Sequence, residues 1–96
     1  MRANDVEFRR RDDLAIEVLD DEALVWDERA SALHRLNSTA TTILSACDRW
    51  NNSRAIARHV AVKSGCTESD VAGVVQACLD ELERRHLVRC RAVRPE

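Results

Sequence analysis

Three stretches within the first 36 residues carry the hydrophobic pattern of β-strands. Apolar and polar residues alternate over residues 14–19, so that every second side chain shares one face. β-Branched and aromatic residues follow over residues 23–27, and residues 32–36 form a third short run after another turn. Strands this close together in sequence predict a three-stranded antiparallel meander.

The hydrophobic spacing changes to that of an α-helix after residue 36. Asn37 and Ser38 are strong N-capping residues, because their side-chain oxygens accept hydrogen bonds from backbone N–H groups that have no partner in the first turn. Behind them, apolar residues recur at helical spacing and predict a first helix over residues 38–47.

Two further helices are predicted from similar signals. Residues 53–63 form an amphipathic segment that ends near Gly65. Thr67 and Asp70 make an acidic variant of the capping box, and the apolar stripe behind them runs to about residue 86. The second and third helices therefore resemble a helix-turn-helix pair.

The predicted elements follow the order β-β-β-α-α-α, which indicates an α+β fold class and a small winged-helix-like domain. Residues 87–93 alternate weakly and are expected to add an edge strand. Residues 1–13 lack periodicity and are expected to form a flexible N-terminal arm. The predicted domain therefore covers residues 14–93.

The composition is typical of one soluble globular domain. The chain has 96 residues, of which 45% are hydrophobic and 33% are charged, and its net charge is −2. No apolar run approaches the roughly 20 residues that a membrane-spanning helix needs, and the charged N-terminus is unlike a signal peptide. We expect a cytoplasmic location and no membrane partner.

The four cysteines have no spacing typical of a metal or redox site. They lie at positions 47, 66, 78 and 90, and no two of them form a C-x-x-C pair. Cys47 and Cys78 fall on helical apolar stripes, where a free cysteine behaves as a small hydrophobic residue. We expect buried thiols at these two positions rather than metal ligands.

No constellation of residues indicates catalysis. The histidines His34, His59 and His86 fall on three separate predicted elements and lack a metal-binding spacing. The chain has only two glycines and no glycine-rich phosphate loop. We therefore expect no enzyme activity, no cofactor and no metal.

A winged-helix transcription regulator that binds DNA is the alternative function, because such domains insert a recognition helix into the major groove. The charge of the third helix argues against it. Between Glu68 and Glu83 this helix holds five acidic residues and no Lys or Arg. Since DNA affinity depends on neutralising phosphates with basic side chains, we expect no nucleic-acid partner.

A protein- or peptide-binding module fits the remaining features. The third predicted strand has no Pro, no Lys and one charged residue, Arg35, to block its open edge. An extended peptide can add to such an edge through backbone hydrogen bonds. Trp26 is either a packing residue of the sheet or an aromatic contact for a partner, and the sequence leaves its face open.

The segment LHRLNSTATTILSACD, residues 33–48, resembles the PqqD-like family of peptide-recognition elements. The residues that match the family's pattern of a strand end, a helix start and an acidic turn are Leu36-Asn37, Thr39-Ala40, Ile43 and Asp48. The resemblance continues through Ile56 and the Leu87-Val88 pair and covers residues 14–88. The family usually has Gly after the acidic residue, whereas this chain has Arg49-Trp50, so the turn is expected to differ here.

The resemblance implies a non-catalytic chaperone for a ribosomally synthesised and modified peptide (RiPP). Such a chaperone binds the precursor's leader as an added strand, between its third strand and third helix, and presents it to a modifying enzyme, often a radical SAM protein. The strand residues carried over to this chain are Ala32, Leu33, His34, Arg35 and Leu36. The helix residues are Val74, Ala77, Cys78 and Glu81, with Arg84 joining Arg35 as a contact for acidic leader residues.

Some of these residues also have a plainer interpretation. Val74 and Cys78 would serve equally well as core residues, and Arg35 and Arg84 as solvated surface charges. A scaffold that docks only onto a partner enzyme is a further hypothesis, and the prediction leaves room for a homodimer.

Overall fold

The computed structural model describes residues 6–93 of the chain. Their secondary structure comprises β1 (Val6–Arg10), β2 (Ala15–Leu19), β3 (Glu22–Asp27), β4 (Ala32–Leu36), α1 (Ser38–Ala46), β5 (Asn51–Asn52), α2 (Ser53–Ser64), α3 (Glu68–Arg84) and β6 (Val88–Ala92).

The predicted meander and the three predicted helices are confirmed. β2, β3 and β4 form an antiparallel sheet in that order, with β3 in the centre. The two-residue turn Asp20-Asp21 joins β2 to β3, and Asp20 adopts a φ of 59° there. The fold is α+β and winged-helix-like, as the sequence predicts.

The helices begin and end at the capping residues that the sequence predicts. The side chain of Asn37 accepts a hydrogen bond from the backbone N–H of Ala40 at 2.9 Å. Thr67 and Asp70 form a reciprocal capping box at the start of α3. Gly65 ends α2 with a φ of 72°, a conformation that glycine adopts without the steric cost of a Cβ atom.

The hydrophobic core lies between the inner face of the meander and the helices. Its largest buried side chains include Val25 of the central strand and, from the helices, Ile43, Ile56, Val75, Leu79 and Leu82. Cys47 is fully buried among them, and burial raises the pKa of its thiol to about 12. This thiol is therefore a neutral core group, as predicted.

The prediction of a flexible arm over residues 1–13 is wrong for residues 6–10. These residues form β1, which pairs with β6 along its length and also with β5. Phe8 is the one fully buried residue of this strand, so the strand has little hydrophobic pattern to read. Residues 1–5 of the predicted arm lie outside the described residues.

A buried ion pair ties this second sheet to the meander. Arg11, directly after β1, donates to both carboxylate oxygens of Asp27 at the end of β3, at 2.7 and 3.1 Å. It also donates to Asp13 and to the backbone carbonyl of His86, after α3. The hydrogen bonds from this guanidinium hold the pKa of Asp27 below its usual range, because they stabilise the carboxylate over the neutral acid, and the positive charge adds to the effect.

Candidate functional site

A cleft of about 330 Å³ opens between β4, the first turn of α1, and α3. We call it the β4–α3 cleft. The strand and the start of α1 line it with Arg35, Leu36, Asn37, Thr39 and Ala40. The helix α3 lines it with Val74, Cys78, Glu81, Leu82 and Arg85. Its volume falls at the lower end of the roughly 300–1,000 Å³ that is usual for ligand pockets.

Helical geometry explains why α3 faces the cleft with these residues. They recur every three or four positions, so they share one face of the helix. The adjoining stripe of Val75, Leu79 and Leu82 is buried in the core. Val74 exposes 56% of its surface, which excludes the alternative that it is a core residue.

β4 is an edge strand of the meander. It pairs with β3 on one side, and no strand within residues 6–93 pairs with its other side. Alternate residues of an antiparallel strand direct their N–H and C=O groups away from the neighbouring strand, so β4 has a row of unpaired backbone groups along this edge. An extended chain laid along the edge would run beside the cleft.

The outer face of the meander, away from the helices, carries Trp26. This side chain is 41% exposed and lies opposite Leu33, which is 62% exposed. Trp26 is therefore not on the face that forms the core, which settles the question that the sequence leaves open. Trp50, in the turn that departs from the family pattern, stacks under the guanidinium of Arg91, whose Cζ lies 4.2 Å from the ring centroid.

Charged side chains border the cleft. The carboxylate of Glu81 accepts hydrogen bonds from Arg84 at 2.6 Å and from Arg85 at 2.9 Å, and Arg85 is the main cause of the lowered pKa of Glu81. Arg35 contacts Glu22 at 3.1 Å and remains largely exposed. With Arg35 and Arg85 against Glu81, the lining carries more positive than negative charge.

The Cys78 thiol forms part of the cleft wall as a neutral group, because burial raises its pKa. Within residues 6–93, no group of three or more His, Cys, Asp or Glu side chains is arranged to hold a metal ion. The same part of the chain contains no helix that is long and apolar enough to cross a bilayer.

The structure brings half of the sequence-predicted site residues together. Those that line the cleft are Arg35, Leu36, Val74, Cys78 and Glu81. Ala32, Leu33 and His34 lie on the same edge strand but do not line the cleft, and Leu33 faces the outer side of the sheet. Ala77 is exposed beside the cleft on α3, and Arg84 reaches its rim only through the ion pair with Glu81.

Five lining residues are absent from the sequence prediction, and helical spacing could have found two of them. Leu82 and Arg85 follow Cys78 by four and seven positions, so they continue its face of the helix. Asn37, Thr39 and Ala40 reach the cleft because Asn37 alone joins β4 to α1, and no periodicity in the sequence reveals how the helix then lies beside the strand.

Comparison with known proteins adds a family and a fold. The family model described as coenzyme PQQ synthesis protein D (PqqD) matches residues 22–88. The solved structure "TbiB1 in Complex with the TbiA(beta) Leader Peptide" is similar with a TM-score of 0.73 and 15% sequence identity, and the match covers 84% of this chain and 94% of that chain. At this identity the likeness establishes the fold alone. No curated protein matches the chain.

Proposed function

Because this chain belongs to the PqqD family, we propose that it is a non-catalytic peptide-recognition protein of RiPP biosynthesis. It binds the leader of a ribosomally synthesised precursor in the β4–α3 cleft and presents the precursor to a modifying enzyme. The observation that carries the proposal is the unpaired edge of β4 beside a partly apolar cleft. The shared fold with a protein solved in complex with a leader peptide supports it.

In the proposed complex the leader adds to the sheet as a strand beside β4. Its backbone pairs with the unpaired N–H and C=O groups of residues 32–36. Every second leader side chain then points toward α3, where Val74 and Cys78 offer apolar surface. The backbone pairing provides affinity, and the side chains that enter the cleft provide selectivity.

The charges at the rim favour a leader with acidic residues near its apolar ones. Arg35 is largely exposed and is available to a second carboxylate beside Glu22. Arg84 and Arg85 share the single carboxylate of Glu81, so an acidic leader residue can take over one of these two partners. Such contacts add selectivity and speed of association more than affinity, since they are exposed to solvent.

The charge of α3 supports a peptide ligand rather than DNA. α3 is the counterpart of the recognition helix of winged-helix DNA-binding domains. Its acidic residues, which would repel a phosphate backbone, are Glu68, Asp70, Asp80, Glu81 and Glu83.

A modifying enzyme is the proposed second partner, and a radical SAM protein is the proposed class. In this arrangement the chain contributes binding and the enzyme contributes the chemistry. Co-purification of the enzyme with the chain and the precursor, but not with a precursor that lacks its leader, is the expected result. Co-purification that is independent of the leader would favour a scaffold without peptide contacts.

Titration calorimetry against the leader of a precursor encoded beside this chain tests the leader site. The Val74→Glu variant places a carboxylate in the cleft, and we expect its affinity to fall by at least about tenfold, because the carboxylate replaces apolar contact surface and repels acidic leader residues, which together cost more than about 1.4 kcal/mol. Val62→Glu is the matched control, since Val62 is an α2 residue that is 80% exposed. Equal binding by the two variants would refute the site, provided that circular dichroism shows both folded.

A further inference from the structure

The meander has a second open edge, at β2. This strand pairs with β3 on one side, and within residues 6–93 no strand pairs with its other side. Beside it, between the inner face of β2 and α1, lies a cleft of about 480 Å³, which we call the β2–α1 cleft. It is larger than the β4–α3 cleft and lies at the opposite edge of the same sheet.

The floor of the β2–α1 cleft is apolar and only partly covered, and the two charged residues of its lining, Arg10 and Asp48, are of opposite sign. Ile16 and Val18 face the same side of the sheet as the buried residues Val25 and Ala23, with which they pair. The helix α1 packs against β3 and β4, so that Val18 remains 56% exposed although it lies on the core face. Exposed apolar surface beside an unpaired edge is a combination that folded proteins normally protect or use.

The charges around β2 determine what kind of chain can lie there. Glu17 is on the outer face of the strand, and Asp20 and Asp21 form the turn that follows. Among the described residues these three carboxylates have no basic partner. The β4 edge differs, because its one charged residue is Arg35. The two edges therefore favour occupants of opposite charge.

We propose that the β2 edge and the β2–α1 cleft form a second docking site, which takes an extended segment of a partner protein with aliphatic side chains at alternate positions and Lys or Arg between them. The aliphatic side chains lie beside Ile16 and Val18 in the cleft. The basic side chains lie on the outer face beside Glu17 and extend toward the acidic turn. This site is separate from the leader site and does not depend on it.

Pairing of β2 with β2 of a second copy is disfavoured. Every charged side chain of β2 is acidic, so pairing β2 with β2 of another copy would place Glu17 near its own counterpart. Like charges opposed across a sheet are destabilising.

Nuclear magnetic resonance of the ¹⁵N-labelled chain with two capped nine-residue probe peptides tests the proposal. One probe alternates Val with Lys and the other alternates Val with Glu. We expect the Val/Lys probe to shift the amide signals of β2 and of Thr41 and Ser45, which face β2 across the cleft, and the Val/Glu probe to leave them unchanged. The proposal would be overturned if both probes shifted the same amide signals, if the shifts were confined to β4 and α3, or if no signal shifted. Self-association of the chain through β2, measured by analytical ultracentrifugation, would also overturn it.

A pair of variants on β2 separates the cleft from the rest of the strand. Val18→Ser removes apolar surface from the cleft and is expected to weaken binding of the Val/Lys probe by about fivefold or more. Leu19→Ser is the control, because Leu19 is 54% exposed on the opposite face. Equal binding by both variants would overturn the proposal. Saturating the chain with a leader peptide is expected to leave the affinity for the Val/Lys probe unchanged. A lack of probe binding at β2 can therefore be told apart from a lack of leader binding at β4.

Discussion

Replacing Val74 with alanine tests the leader site with little risk to the fold. Val74 lies on the cleft face of α3 and is 56% exposed, so truncation opens no cavity in the core. Alanine also has the higher helix propensity, which favours α3 by up to about 0.5 kcal/mol. A loss of leader binding in this variant would therefore come from the cleft and not from unfolding.

The expected loss follows from the surface that the leader would cover. Val74→Ala removes two methyl groups, and full burial of two such groups is worth about 1.6 kcal/mol. Since 56% of the residue is exposed before binding, about 0.9 kcal/mol of this depends on the leader. This corresponds to a rise in Kd of about four- to fivefold.

Titration calorimetry measures the Kd, and urea denaturation measures the free energy of unfolding in parallel. Val62→Ala, in α2, is the control, because it makes the same change at a residue that is 80% exposed and outside the cleft. We expect the control to bind the leader as the parent chain does. If Val74→Ala bound equally well, or if both variants weakened binding alike, the leader would not contact this face of α3.

Two further predictions concern stability. Because Arg11 lowers the pKa of Asp27 in the folded state, the stability from their pair is fully present above the unfolded-state Asp pKa of about 3.9 and is lost as the pH falls through the lower folded-state value. The urea midpoint should therefore fall more steeply from pH 6 to pH 2 for the parent chain than for the Asp27→Asn variant. Parallel pH profiles of the two proteins would contradict this prediction. Gly65→Ala should lower the free energy of unfolding by about 1 kcal/mol, since Gly65 has a φ of 72°. Gly73→Ala, inside α3 with open space around the added Cβ, should raise it by about 0.5–1 kcal/mol. Urea denaturation measures both changes, and changes of the same sign would contradict the reasoning.

Local signals made most of the fold predictable. The caps at Asn37 and Thr67 and the stop at Gly65 lie within a few residues of the groups that they satisfy, so the sequence displays them directly. β1 and β5 depend instead on partners far along the chain, such as Phe8 opposite Cys90 and Asn51. Strands held by such distant pairing, with one buried side chain or none, leave no period-2 pattern to detect.

The same difference between local signals and distant contacts explains which parts of the candidate site could be predicted. The β4 edge and the α3 face were predictable because each is a single element with its own spacing. The cleft between them depends on the angle at which α1 leaves β4, and the ion pair of Arg11 with Asp27 joins positions 16 residues apart. Charge counts along the sequence give no geometry of this kind, so they do not distinguish Arg11 from the charged residues beside it.

The opposite charges of the two sheet edges bear on how such a small domain could hold two chains at once. β4 carries Arg35 beside one cleft, and β2 carries Glu17 beside the other, with the central strand β3 between them. An acidic leader strand is attracted to the first edge and repelled by the second, and a basic partner strand has the reverse preference. Exchanging these charges, as in Arg35→Glu with Glu17→Arg, should therefore weaken both ligands at their own edges without disturbing the core, since both side chains lie exposed on the outer face. If the exchange left both affinities unchanged, backbone pairing and the apolar clefts alone would determine which chain binds at which edge.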